Sequence, residues 1–199
     1  MREIILASAS KRRSRILSDC GIKHRVVPSG AEEEIDKDAD VFEIVETNAT
    51  CKAEIVATKE ANAIIIGADT LVVHGDKIIG KPKGESEAKQ TLKNFSGSTL
   101  EVYTGLSVID SLNSKKASGF ERSELSVVSI KEDDFDRYFK LLSPYDKAGG
   151  FSIEGIGSLL FDDIRGSYFN ILGLPMIKLG ELFHEIGDDI LNYVRMDLD

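Results

Sequence analysis

Cysteine is scarce in this 199-residue chain: only Cys20 and Cys51 occur, with no CxxC pair and no Cys/His cluster around them. The chain therefore carries no cysteine-built metal motif. Each thiol reads as a small hydrophobe on a helix, the usual role where thiols stay reduced. Histidine is equally sparse; His24, His74 and His184 are dispersed and take no ligand or triad role. No stretch approaches the roughly 18 apolar residues of a membrane span. The Ile4-Ile5-Leu6 run is too short for a signal-peptide core, and a cytoplasmic protein is expected. The pattern GxxxxGKS/T is missing, which excludes a Walker-type phosphate loop, and no GxSxG elbow appears.

Positive charge is also in the minority. Twenty-five basic residues against 34 acidic ones give a net charge of −9 at pH 7, with a pI near 5.0. That balance argues against polymeric nucleic acid, which needs a basic face over many phosphates, and against anionic membrane surfaces. A small anionic ligand in a local basic pocket remains compatible with it.

What is present suits one folded domain spanning 1–199, since 42% hydrophobic residues can fill a sizeable core and domains average roughly 150 residues. No low-complexity linker or internal repeat interrupts the chain. Residues 3–7 read as a buried strand and 11–20 as a helix, with Ser10 as N-cap and Gly21 as C-cap. A strand near 23–28 leads to an acidic segment at 28–40, then to a long helix at 41–60. An apolar strand at 63–69 is followed by a hairpin turning at His74-Gly75-Asp76. A helix at 85–95, strands at 99–110 and 117–130, and a helix at 131–142 follow. A glycine-rich block at 149–157, a strand near 158–163 and a helix from Pro175 complete the chain. The interleaving predicts an α/β fold, and the hairpin-like pairs predict a mixed rather than all-parallel sheet.

Three places contradict their surroundings, as functional sites often do. Lys11, Arg12, Arg13 and Arg15 crowd the opening of a helix, where positive charge opposes the macrodipole. Either this is a solvated basic patch, or an anion bound there reverses the sign, with Ser8 and Ser10 as further donors. Lys52 and Asn48 project onto the apolar arc formed by Val41, Ile44, Val45, Ile55 and Val56. A lysine there either snorkels outward or faces a polar pocket. Asp69-Thr70 divides an apolar stretch from Ala63 to Val73, marking either an Asx-type turn or a paired, ligand-facing carboxylate at a strand end. Lys81, closing the next strand, is either solvent-facing or a further phosphate donor.

The Glu32-Glu33-Glu34 run is either a solvated loop or a source of metal ligands. One of its carboxylates with Asp69 suits Mg²⁺, which takes one or two carboxylates plus substrate phosphates. Glu154 lies in GGFSIEGIG, whose glycines allow close backbone approach.

Together these segments resemble the Maf family of nucleoside triphosphate pyrophosphatases. The matching blocks are LASASKRRSRIL at 6–17, GAEEE at 30–34, KA at 52–53, GADTLVV at 67–73 and GKP at 80–82. YTGL at 103–106, YDKAGGFSIEGIG at 145–157 and GSYFNILGLP at 166–175 complete the set. The resemblance implies an elongated mixed sheet flanked by helices, two lobes around a cleft, and a homodimer. It implies hydrolysis of a nucleoside triphosphate to the monophosphate and pyrophosphate with Mg²⁺ or Mn²⁺. Asp69 would accept the proton, with Lys52, Lys81 and Glu33 in the catalytic set and Glu33 and Asp69 on the metal. Ser8, Arg13, Lys52 and Lys81 would contact phosphates, and Arg12, Thr70 and Glu154 would select the base.

Two departures bear on substrate. Lys11 stands where the family usually has proline. Arg12 and Thr70 resemble the branch acting on dTTP and UTP, whereas Glu154 resembles the branch acting on 7-methylguanosine triphosphate. An ionised glutamate only accepts hydrogen bonds, while glutamine also donates. Two rivals stand beside the enzyme: a nucleotide-binding regulator of cell division with negligible turnover, and a sugar-phosphate phosphatase releasing orthophosphate.

Overall fold

A computed structural model describes residues 2–36, 39–142 and 151–195. Residues 145–150 of the YDKAGG block, and 37–38 of the acidic segment, lie outside them. Among the described residues seven strands form one mixed sheet. They are β1 (Glu3–Leu6), β2 (His24–Val26), β3 (Ala63–His74), β4 (Lys77–Ile79), β5 (Thr99–Asp110), β6 (Lys115–Val127) and β7 (Phe161–Arg165). Their order is β2-β1-β3-β5-β6-β7, with β4 added to β3. The β1–β2 and β1–β3 pairs are parallel; β3–β4 and β6–β7 are antiparallel. The mixed α/β expectation holds.

Among the described residues six α-helices accompany the strands: α1 (Lys11–Asp19), α2 (Val41–Ala57), α3 (Glu85–Phe95), α4 (Phe135–Leu141), α5 (Tyr168–Ile171) and α6 (Met176–Glu185). Local chemistry sets the ends of α1. The Ser10 side chain accepts from the Arg13 N–H, and Gly21 follows the helix with φ of +70°, as N-caps and left-handed C-terminal residues do. At α2, Asp40 and Glu43 form a reciprocal capping box. No described helix is long and apolar enough to cross a membrane.

The chain divides into two compact units. One comprises Met1–Thr70, Thr104–Glu121 and Leu172–Asp199; the other comprises Leu71–Tyr103 and Arg122–Ile171. In the first, Ile5, Ala7, Ala63, Ile65 and Ile109 pack with Ala53 and Val56 of α2. Two glycines let α2 lie unusually close to the sheet. A Cβ on Gly67 would sit 2.1 Å from the Ala49 carbonyl oxygen, and one on Gly105 would sit 2.2 Å from that of Val45. In the second unit, Ala88 and Leu92 of α3 pack with Phe135, Phe139, Leu142 and Leu160.

The first unit also fastens its chain ends electrostatically. Arg2 bonds both Asp110 and Asp188, Tyr193 donates to Asp188 at 2.7 Å, and Asn113 donates to Asp110 at 2.7 Å. Burial, seconded by Asp188, pushes the Tyr193 hydroxyl up to about 12.

Several local expectations need correction. Asp69-Thr70 does not break the strand: β3 runs unbroken through both. The strand expected near 158–163 is a 3-10 helix at Gly155–Leu160, followed by β7; Gly155, with φ of +62°, favours that turn over extended chain. The short α5 escaped a reading built on long periodic segments. Cys51 is exposed on α2 rather than buried, and both cysteines are free.

Candidate active site

Asp69 and Thr70 occupy a gap between two ladders. Strand β3 pairs with β1 over Ala63–Ile66 and with β4 over Val72–His74. Asp69 therefore lies just past the carboxyl end of β1, where parallel α/β sheets place their ligands. Side chains alternate along a strand, so the neighbours Asp69 and Thr70 point to opposite faces. Two polar clusters result, both in the first unit.

On the α2 face, Lys52 reaches Asp69. Its Nζ lies 2.7 Å from Asp69 Oδ1 and 2.7 Å from Glu33 Oε1. Lys52 and Asp69 are 7% and 3% exposed, so snorkelling is ruled out. A buried lysine needs such partners, because an unpaired charge in the interior is very costly. Asn48, one turn earlier on α2, donates to Asp69 Oδ2 at 3.1 Å. Glu33 is exposed at its free end, and Lys52 holds its carboxyl below the usual range. Burial opposes that effect, and Asp69 and Arg13 add to it.

On the other face, Arg13 is fastened on three sides. Its Nε donates to the Gly173 carbonyl at 2.7 Å, Nη1 to Ser8 Oγ at 3.0 Å, and Nη2 to Thr70 Oγ1 at 2.8 Å. Thr70 in turn shares a 3.0 Å hydroxyl contact with buried Thr104. Burial pushes the guanidinium down from its usual value, while Asp69 and Glu33 push it up and Arg12 pushes it down. The guanidinium group nonetheless stays protonated in proteins. No acidic residue sits in the first turn of α1. The loop from Ser8 to Arg13 thus offers hydroxyls, helix-start N–H groups and cationic side chains at one place, a combination suited to an anion.

Ser8, Arg13 and Thr70 gather in one cluster and Glu33, Lys52 and Asp69 in the other, with Arg13 close enough to feel the charges of Asp69, Glu33 and its neighbour Arg12. Lys81 and Glu154 belong to the second unit. Lys81 is exposed after β4, and Glu154 precedes the 3-10 helix at Gly155–Leu160 with its backbone N–H on Ser152 Oγ. Sequence reasoning missed the Gly173 carbonyl and Thr104. Its signal at Asn48, a polar residue on an apolar arc, was seen but given no role.

Among the described residues no three His, Cys, Asp or Glu side chains gather into a metal cage. Glu33 and Asp69 nevertheless converge on one point, the Lys52 ammonium. Two carboxylates around a cation position fit Mg²⁺ or Mn²⁺ held jointly with substrate phosphates, rather than an all-protein cage.

The family described as Maf-like protein matches residues 3–186. A dTTP/UTP pyrophosphatase of Desulforamulus reducens is 39% identical over 191 residues, covering 96% of this chain and 100% of the relative. A dTTP/UTP pyrophosphatase of Bacillus mycoides is 37% identical over 190 residues, covering 96% and 98%. The solved Staphylococcus aureus Ham1 protein overlaps 65% of this chain and 74% of its own, with a TM-score of 0.41 and 15% identity, a likeness too distant to carry function. With the match running from β1 to the end of α6, the chain belongs to the Maf-like protein family.

Proposed function

We propose that this chain hydrolyses a nucleoside 5′-triphosphate to the monophosphate and pyrophosphate, clearing non-standard or excess nucleotides. The observation that carries the reading is the Lys52 bridge. One buried ammonium lies 2.7 Å from both Asp69 and Glu33, in a unit that also holds the Ser8–Arg13–Thr70 cluster. Carboxylates for water and cations for phosphates are what an uncatalysed phosphoanhydride lacks.

Asp69 accepts the proton of the attacking water, whose oxygen bonds to one phosphorus of the α–β anhydride as the bridging P–O bond breaks, giving the monophosphate and pyrophosphate. Lys52, already between the carboxylates, is placed to neutralise charge that builds on the phosphates. Among the described residues Arg13 keeps one N–H on each terminal nitrogen for a phosphate oxygen, because only one of each pair is used. Ser8 adds a hydroxyl. No covalent enzyme intermediate is required. A divalent cation, Mg²⁺ or Mn²⁺, held by Glu33 and Asp69 would supply further charge neutralisation.

The dTTP/UTP relatives, together with Arg12 and Thr70, support a pyrimidine substrate, while Glu154 supports a 7-methylguanine-type base. Lys81 is assigned to phosphate and Glu154 to base selection on the family resemblance. A homodimer is proposed on the same ground. The two free thiols suit a cytoplasmic setting.

The deciding experiment assays dTTP, UTP, 7-methylguanosine triphosphate and the other common triphosphates with Mg²⁺ or Mn²⁺, resolving pyrophosphate from orthophosphate. Pyrophosphate as first product supports the assignment. Orthophosphate as first product, or tight binding without turnover at every metal concentration, overturns it.

A further inference from the structure

The geometry points to Asn48 as a positioning residue for this reaction: its one carboxamide ties the Asp69 side chain and the backbone of the acidic segment into a single unit. The inference rests on the pyrophosphatase reading above. Asn48 Nδ2 donates to Asp69 Oδ2 at 3.1 Å and to the Glu34 carbonyl at 2.9 Å, while Oδ1 accepts the Glu34 N–H at 3.1 Å. Both amide hydrogens and the carbonyl are thereby engaged, and the side chain is 5% exposed.

Two consequences follow. First, Asp69 is held at both oxygens, by Lys52 on Oδ1 and by Asn48 on Oδ2. Its carboxylate plane cannot rotate without losing one of them. Second, the paired bonds to Glu34 imitate a strand ladder, holding an otherwise exposed segment against α2. Glu33 is its immediate neighbour, so the tether delivers Glu33 to Lys52, four residues further along the same helix face. Asn48 thus sets the distance between two carboxylates that come from segments 36 residues apart. Asparagine suits this post because it both donates and accepts, which neither aspartate nor alanine does.

The test uses Asn48→Ala and the near-isosteric Asn48→Asp in the full chain. Three measurements are made: kcat and KM for pyrophosphate release, thermal unfolding, and hydrogen–deuterium exchange over 31–36. Groups that orient ligating side chains are commonly worth about 10–100-fold. Both variants are expected to lose kcat by about that factor while the nucleotide KM changes little, since Ser8 and Arg13 are untouched. Exchange at the Glu34 amide should accelerate in Asn48→Ala with the unfolding transition still cooperative. An unchanged kcat in folded variants, a loss confined to KM, or unaltered exchange over 31–36 overturns the proposal. A wild-type chain that releases no pyrophosphate overturns the enzymatic reading instead, because the exchange measurement reads the tether without turnover.

Discussion

Lys52 Nζ and Asp69 Oδ1 meet at 2.7 Å, with both side chains almost wholly removed from solvent. The pair joins the middle of α2 to the middle of β3, where a core would ordinarily place two apolar residues. Replacing such a pair by well-packed hydrophobes is often neutral or stabilising, so stability alone does not account for it. The proposed chemistry at the end of β1 would.

Asp69→Asn keeps the shape of the side chain and removes the proposed base. General-base assistance is typically worth about 10²–10⁴-fold, and kcat for pyrophosphate release should fall by that order. Circular dichroism should show a folded chain. Near-wild-type turnover would take Asp69 out of the mechanism.

Lys52→Ala should cost both stability and activity. It leaves a buried carboxylate without its cation, a change usually worth about 3–5 kcal/mol. Denaturant unfolding at pH 7 reads the first effect and kcat/KM the second. If stability drops while kcat/KM holds, Lys52 is a structural counter-ion only.

Gly67→Ala tests how the site is assembled. Its new methyl group would meet the Ala49 carbonyl at 2.1 Å, a backbone atom that yields only if α2 moves. Overpacking of this kind costs about 1–3 kcal/mol, or a fall in Tm of roughly 2–12 °C for a domain of this size. Because α2 carries Asn48 and Lys52, kcat should fall with it. A full-activity, wild-type-stability variant would show that the close approach is dispensable.

Acid stability should depend on Asp110. Burial alone would raise its pKa, but the bonds from Arg2 and Asn113 prevail and hold it below its ordinary value. A group depressed in the folded state stabilises above its unfolded pKa, about 3.9 for aspartate. That contribution disappears as pH falls through the lower folded value. Tm should therefore drop steeply below about pH 4 in the wild type. In Asp110→Asn it should be lower at pH 7 and flatter in acid, as a scan of Tm against pH would record.

Glu154→Gln should move base preference towards dTTP and UTP. The amide adds a donor that a carboxylate lacks, and one net hydrogen bond is worth about 1 kcal/mol. The ratio of kcat/KM for UTP over 7-methylguanosine triphosphate should rise by roughly five- to tenfold. An unchanged ratio would free Glu154 from that role.

The sequence by itself determined the mixed α/β class, most elements and the caps of α1, because periodicity, Ser10 and Gly21 act over one or two turns. It also marked Lys52, Asn48 and Asp69 as misfits, since a polar group on an apolar arc or strand is visible without coordinates. It left each choice open: a lysine that snorkels and a lysine that pairs have the same helical position. Only the tertiary structure decided, by bringing α2 down through Gly67 and Gly105 until Lys52 reached Asp69. Arg13 meets Gly173 across 160 residues, a contact no local pattern encodes. The placement of Asp69 and Thr70 on opposite faces, in the gap between two ladders, likewise depends on which strands pair and where they stop.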